Sequence, residues 1–272
     1  MRNKKWNKKV SILAMLVVFA MAFAACGGKK VDEVSGKITP AESEQKENND
    51  VTATPAETVD NNEQDSTGEQ SGTENKDVAN EGGKTTSLGR IQGGVYVNEY
   101  MGISCELDSA WEFYTAEELQ ELPENVSELF KDTAMEDQMS NLTYITDMSA
   151  ENADEMTSMN IIYQKMGIQE RLAFSGMTNS DVVDSMLSTQ KDFLVETYAQ
   201  AGINVQEMYK KTVTFCGEER DALYMACDVA GIAYYALQLF DYSLGDYAVT
   251  MTVTSFVEDK TDSLLTLFSK YE

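Results

Sequence analysis

The sequence predicts an α+β domain built on an antiparallel β-sheet of about six or seven strands, flanked by helices. Strand-like segments come first, one long amphipathic helix follows, and further strand-like segments come after it. The later strands follow one another across short turns, which is typical of antiparallel hairpins. Strands grouped before and after a helix indicate one α+β domain.

The N-terminal part of this domain is predicted to hold four strands. Gly94–Asn98 and Ile103–Leu107 are rich in strand-forming residues and flank a short turn. Leu142–Met148 and Met159–Met166 are the next two predicted strands. The polar residues 149–158 are expected to connect them as a loop.

Capping residues and periodicity predict the helices. Thr115 and Glu118 form a capping-box pattern that opens a short helix, and Pro123 suits the first turn of another. Residues 180–201 place apolar side chains with a 3.6-residue period, so we expect the longest helix there. Residues 261–270 are expected to close the chain as a final helix.

Two hairpins are predicted between these last helices. Asn204–Cys216 is expected to pair with Arg220–Val229, and Ile232–Tyr242 with Tyr247–Phe256. All four segments are rich in tyrosine, valine, threonine and phenylalanine, which suit half-buried strands.

The N-terminus has the layout of a secretory signal. Five basic residues precede an apolar run from Val10, and the run ends on small residues and Cys26. Residues 23–27, Phe-Ala-Ala-Cys-Gly, resemble the lipobox of bacterial lipoproteins. That resemblance implies removal of residues 1–25 and a lipid anchor, with acyl chains such as palmitate, on Cys26. The protein would then sit on the extracytoplasmic face of the cell membrane. Simple secretion and an uncleaved membrane anchor are the alternatives.

Residues 26–89 are predicted to be a disordered, acidic linker. No aromatic residue occurs between Phe23 and Tyr96, and polar residues dominate the segment. Such a composition buries too little apolar area to offset chain entropy. We expect it to space residues 90–272, the predicted α+β domain, from the membrane; an interaction tail is the alternative.

Composition excludes several classes of function. The chain has no histidine, which removes Ser-His-Asp and Cys-His catalysis and histidine-ligated metal sites. Its net charge is −25, which argues against nucleic-acid binding because phosphate recognition needs clustered lysine and arginine. The acidic surface either aids solubility or attracts cationic partners.

The remaining cysteines, Cys105, Cys216 and Cys227, lack CxxC spacing. Cys216 would face the hairpin turn while Cys227 lies far down the other arm, so no disulfide between them is expected. All three are predicted to be small buried residues.

Two acidic groups are weak site candidates. The segment 147–155 is either a cation-binding loop or a solvated acidic loop, because it lacks the spacing and central glycine of an EF-hand. Glu118, Glu121 and Glu124 could supply a carboxylate pair for glycoside hydrolysis, but nothing fixes their separation. We therefore expect no enzymatic activity, no metal and no cofactor.

Aromatic residues suggest a binding surface. Tyr100, Tyr114 and Tyr235 are the candidate surface residues, whereas Trp111 is expected in the core. Tyr234 and Tyr235 are adjacent on one predicted strand, so they point to opposite faces and one of them should be exposed. Tyrosine, together with the 15 methionines, is typical of protein-binding surfaces.

One stretch resembles the opening of the PsbP/Mog1-like family, through Tyr96, Asn98, Tyr100, Gly102, Ile103, Leu107, Trp111 and Phe113. The resemblance implies an α/β/α sandwich around a six- or seven-stranded antiparallel sheet over about residues 93–272. It also implies a non-enzymatic protein that binds a protein partner. A ligand- or cation-binding accessory module of a transporter is the alternative, and a carboxylate-based hydrolase is a third possibility.

Overall fold

Two antiparallel sheets pack face to face, and helices cover the outer face of the larger one. The computed structural model describes residues 88–129, 131–133 and 144–271, without the side chains of 123–129. The predicted signal sequence, Cys26 and nearly all of the predicted linker lie outside the described residues. None of the described helices has the length and apolar content needed to cross a membrane.

The strands range from the short, exposed β1 to the ten-residue β10, which is buried throughout. They are β1 Arg90–Gln92, β2 Val95–Asn98, β3 Ile103–Glu106, β4 Glu112–Phe113, β5 Tyr144–Asn152, β6 Thr157–Lys165, β7 Ile203–Phe215, β8 Glu218–Val229, β9 Ile232–Asp241, β10 Tyr247–Phe256 and β11 Phe268–Lys270. The large sheet has the order β4-β5-β6-β10-β9-β8-β7, and the small sheet has the order β1-β2-β3-β11. Every pairing in both sheets is antiparallel.

The helices are α1 Ala116–Leu129, α2 Ile168–Phe174, α3 Asn179–Thr189, α4 Lys191–Gln200 and α5 Thr261–Leu265. Helices α2, α3 and α4 bury Phe174, Val183, Leu194 and Tyr198 on one face of the large sheet, which we call the helix face. The small sheet and α5 cover the opposite face, which we call the inner face.

The predicted fold class is confirmed: the domain is α+β, and its main sheet has seven antiparallel strands. On the inner face the covering layer combines the single helix α5 with a small sheet. This follows from the last strand, in which Phe268 pairs with Cys105 of β3. Residues 268–270 therefore join the small sheet instead of continuing the predicted terminal helix.

The longest predicted helix is broken. Gln190 has φ −130° and ψ −8°, so α3 ends there and α4 begins at Lys191. The break lets α3 pack against β8 while α4 packs against β7. The apolar period alone could not predict this, because both halves keep a buried stripe.

Other differences are local. Residues 149–152 extend β5, and residues 157–158 begin β6, so the predicted loop is a hairpin with a tight turn. Helix α1 continues through Pro123 as one element. The sequence analysis also gave no indication of β1 or α2. Trp111 is only partly buried, packed against the core between the two sheets.

The three cysteines Cys105, Cys216 and Cys227 are free thiols. Cys105 and Cys227 are buried, as predicted, and burial raises the pKa of each thiol to about 12. Cys216 is only half-buried. The two buried thiols therefore stay protonated at neutral pH and behave as small apolar residues.

Candidate functional site

An open groove crosses the inner face of the large sheet over β7, β8 and β9. Its volume is about 510 Å³. Tyr224 belongs to the core under the small sheet, and Ala226 and Tyr235 pack beside it, which places the groove on the inner face. The residues that shape it are Glu207, Tyr224, Ala226, Asp228, Ala233 and Tyr235. We take this groove as the candidate functional site.

Across the middle of the groove, a row of three directly opposed residues places one small side chain between two large ones. Glu207 on β7 is opposite Ala226 on β8, and Ala226 is opposite Tyr235 on β9. Adjacent strands lie about 4.8 Å apart, so the Glu207 and Tyr235 backbones stand about 10 Å apart across the alanine. A slot is left that is bounded by a carboxylate on one side and an aromatic ring on the other.

A β-bulge turns Glu207 toward the groove. The register of β7 shifts between Val205, which pairs with Cys227, and Glu207, which pairs with Ala226. Regular alternation would put both β7 residues on the helix face, where Cys227 is buried. The extra residue, Gln206, reverses the alternation, so Glu207 faces the groove.

The rows on either side of the slot differ in character. On one side Tyr209 is opposite Tyr224, and their ring centroids are 4.9 Å apart. On the other side Asp228 pairs with Asn204 and with Ala233. The groove is thus aromatic at one end and acidic at the other.

Tyr224 is held in one orientation by its neighbours. Its hydroxyl donates to Asp259 Oδ2 at 2.9 Å, and the ammonium of Lys211 lies 5.0 Å from its ring centroid. Lys211 Nζ also forms an ion pair with Asp262 at 2.8 Å. Burial and the hydrogen bond to Asp259 raise the pKa of Tyr224, so its phenol stays protonated at neutral pH.

The groove carries negative charge that is not neutralised locally. No lysine or arginine is among the described residues that line it. Asp228 Oδ1 accepts the N–H of Gly231 at 3.0 Å, which fixes the turn between β8 and β9. Glu207 is exposed and forms no hydrogen bond or ion pair with another described residue. Its carboxylate is therefore available to a ligand.

Of the three tyrosines predicted as a binding surface, Tyr235 lines the groove and the other two lie elsewhere. Tyr234 is fully buried, whereas Tyr235, which alternation places on the opposite face, is half-buried and not exposed as predicted. The Tyr100 hydroxyl donates to the Leu244 carbonyl at 2.8 Å. The Tyr114 hydroxyl donates to Glu151 at 2.9 Å, next to strand β4, four strand positions from β9. The three do not form one surface.

The acidic segment 147–155 does not converge on one point. Glu151 accepts the Tyr114 hydroxyl, and Glu155 pairs with Lys260 at 3.0 Å. Asp147 points into the core. In the part of the chain that the structure describes, no three cysteine or acidic residues are arranged to hold a metal ion.

Asp147 joins the two sheets. Its Oδ1 accepts the N–H of Gly89 at 2.8 Å, and its Oδ2 accepts the Tyr96 hydroxyl at 2.5 Å and Asn98 Nδ2 at 2.7 Å. Asn98 Nδ2 also lies 2.9 Å from the Tyr163 hydroxyl. Burial raises the pKa of Asp147 even though these hydrogen bonds favour its charged form. We call this cluster the Asp147 network.

The Asp147 network explains two residues of the motif in the sequence. Tyr96 and Asn98 are two apart on β2, so both point from the small sheet toward Asp147 on β5. The contacts of Tyr96 and Asn98 with Asp147 were not predicted, because Asp147 was interpreted as part of the acidic segment 147–155. An aspartate within a run of strand-forming residues was the available signal, since buried carboxylates are retained where donors surround them.

Glu118 is used as a helix cap. Its carboxylate accepts the backbone N–H of Thr115 at 2.9 Å and the Thr115 hydroxyl at 3.0 Å. The Glu118 N–H donates to Thr115 Oγ1 at 3.3 Å, which completes the predicted capping box. The side chain of Glu124 lies outside the described residues. The described residues thus offer no pair of facing catalytic carboxylates here.

A polar row crosses the helix face of the large sheet, and the sequence did not predict it. Ser149, Asn160, Thr252 and Gln238 are opposite one another on four consecutive strands, and all are buried. Gln238 Nε2 donates to Thr252 Oγ1 at 3.3 Å. Asn160 Oδ1 and Gln238 Oε1 lack a hydrogen-bond partner in the described structure.

Comparison with known proteins gives a weak structural likeness and no sequence match. No protein-family model matches the chain, and no curated protein matches it. Among solved structures, it is similar to the solution structure of cyanobacterial PsbP (CyanoP) from Synechocystis sp. PCC 6803. The TM-score is 0.36 and the identity 14%, over 68% of this chain and 99% of that chain. No functional statement about the present chain follows from it.

Proposed function

We propose that the protein is a non-enzymatic lipoprotein of the cell envelope that binds a protein partner through the groove on β7, β8 and β9. The observation that carries the proposal is the groove itself, an open part of a sheet lined by Tyr224 and Tyr235, with Ala226 between Tyr235 and Glu207. Tyrosine is enriched at protein interfaces because it offers a large apolar surface with a polar tip.

The anchor is proposed from the sequence. A lipidated Cys26 would carry two acyl chains at one residue, and stable membrane attachment needs about two such signals. The linker of residues 27–89 would span roughly 40–50 Å as a flexible coil. A domain held at that distance can reach a partner exposed on the same membrane.

A second candidate is a small-ligand module that serves a transporter. The groove volume of about 510 Å³ favours it, because small-molecule sites have volumes of about 300–1,000 Å³. The open form of the groove fits a partner side chain or segment better than an enclosed small molecule. We therefore place the protein-binding function first.

Two experiments test the proposal in the producing cell. Fractionation compares the wild type with Cys26→Ala, and we expect the variant to leave the membrane fraction. Site-specific photocrosslinking then places a photoreactive phenylalanine at Tyr235 or, as a control, at Glu219. Glu219 is exposed and pairs with Thr214 near the turn of the β7–β8 hairpin, at the end away from the groove.

We expect one adduct of fixed mass from position 235, none from position 219, and loss of the adduct in the unanchored variant. Equal crosslinking from both positions, or no adduct from position 235, would reject the groove as the partner surface. Full membrane retention of Cys26→Ala would reject the lipid anchor.

A further inference from the structure

We propose that the groove recognises a cationic side chain, an arginine or lysine, presented by an extended segment of the partner protein. This inference rests on the proposed function, because it assigns a chemistry to the partner. It follows from three features of the groove: its charge, the slot between Glu207 and Tyr235, and a similar arrangement already present beside it.

The negative charge of the groove favours the binding of a cation. Glu207 and Asp228 line it, and no described lining residue is basic. The Tyr224 hydroxyl that borders it is bonded to a further carboxylate, Asp259. The whole chain carries a net charge of −25, so its field concentrates cationic segments near the surface.

The slot has the dimensions of one long side chain. The Glu207 and Tyr235 backbones are two strand spacings apart, about 10 Å, with only the methyl group of Ala226 between them. A guanidinium entering there can lie against the Tyr235 ring while it donates to the Glu207 carboxylate. Asp228, in the next row of the same face, can accept from the same cation or from the next basic residue.

The molecule already contains such an arrangement next to the groove. The Lys211 ammonium lies over the Tyr224 ring at 5.0 Å and pairs with Asp262 at 2.8 Å. A cation is thus held between a tyrosine ring and a carboxylate within this sheet face. Tyr235 and Glu207 repeat the aromatic and acidic parts of that arrangement, and the cation is the part that the partner would supply.

An isotope-labelled peptide titration tests this chemistry directly. The protein is residues 27–272, which omits the predicted signal sequence and Cys26, labelled with ¹⁵N. The probe is the peptide acetyl-Ser-Arg-Ser-Arg-Ser-amide, and its control has citrulline in place of both arginines. Citrulline has nearly the same shape and hydrogen-bonding groups but no charge. Amide shifts report both the affinity and the location of binding.

We expect the arginine peptide to shift the amides of Ala226, Ala233 and Tyr235, and the citrulline peptide to bind at least tenfold more weakly. Glu207→Gln should weaken arginine binding about tenfold, since hydrogen bonds to a charged group contribute more than neutral ones. Glu219→Gln removes the same charge at the far end of the hairpin and should leave the affinity unchanged. Raising the salt concentration should weaken binding further.

Three results would overturn the inference. The first is equal binding of the arginine and citrulline peptides, and the second is an equal effect of Glu207→Gln and Glu219→Gln. The third is a neutral saccharide, maltotriose, shifting the groove amides when the arginine peptide does not. A groove-specific crosslink from Tyr235 would still stand in each case, so failure of this inference is distinguishable from failure of the proposed function.

Discussion

Replacing Asp147 with alanine should destabilise the domain by about 3–5 kcal/mol. The carboxylate accepts from Gly89, Tyr96 and Asn98 at 2.5–2.8 Å. Its removal leaves two buried donors, on Tyr96 and Asn98, and the partly buried N–H of Gly89 without their acceptor, and each unpaired donor costs about 1–3 kcal/mol. The expected total lies near the lower end of the summed cost of the three donors, because Asn98 Nδ2 and the Tyr96 hydroxyl are 3.0 Å apart and can hydrogen-bond to each other.

Urea denaturation of residues 27–272, followed by far-ultraviolet circular dichroism, measures this difference. Tyr96→Phe is the graded control, because it removes one donor and leaves the carboxylate with two. We expect it to cost only about 1 kcal/mol. A loss below 1 kcal/mol for Asp147→Ala, or a larger loss for Tyr96→Phe than for Asp147→Ala, would refute the view that Asp147 joins the two sheets.

Three further changes test other parts of the structure in the same denaturation assay. Burial raises the pKa of Asp147, so the proton-linked part of its contribution to stability is fully present below about pH 3.8 and declines as pH rises through the raised value; Asp147→Asn should remove this decline, and an unchanged pH profile would contradict it. Gly89→Ala should cost about 1–3 kcal/mol, because its Cβ would lie 2.2 Å from Cε2 of the buried Tyr96 ring, whereas a neutral effect would mean that the ring can move. Thr178→Ala should cost about 1 kcal/mol, because the Thr178 side chain caps α3 by accepting from the Asp181 N–H; a change within 0.3 kcal/mol would show that the cap contributes little.

Local signals predicted those parts of the fold that depend on neighbouring residues. The capping box at Thr115 and the two long hairpins are set by residues close in sequence, and the structure contains them all. The strand at Phe268 depends on pairing with Cys105, more than 160 residues away. A local pattern of apolar residues gives no information about such a distant partner. Gln190 breaks a helix because two segments pack on different strands, which is also a tertiary effect.

The groove was only partly predictable for the same reason. Alternation along one strand predicted correctly that Tyr234 and Tyr235 face opposite sides of the sheet. Glu207 and Asp228 were not singled out, because acidic residues occur throughout this chain. The position of Glu207 depends on the bulge at Gln206, which reverses the face of every residue before it and has no reliable sequence signal.

The strand order of both sheets delays their completion until the end of the chain is available. In the large sheet β6 pairs with β10, which brings together residues as far apart as Ser158 and Thr254. In the small sheet β3 pairs with β11, which is formed by residues 268–270. Folding that depends on such distant contacts is slow, because a long loop must close first. A chain emerging from the ribosome would thus leave the large sheet incomplete until β10 has been synthesised, and the small sheet incomplete until the strand at Phe268 follows.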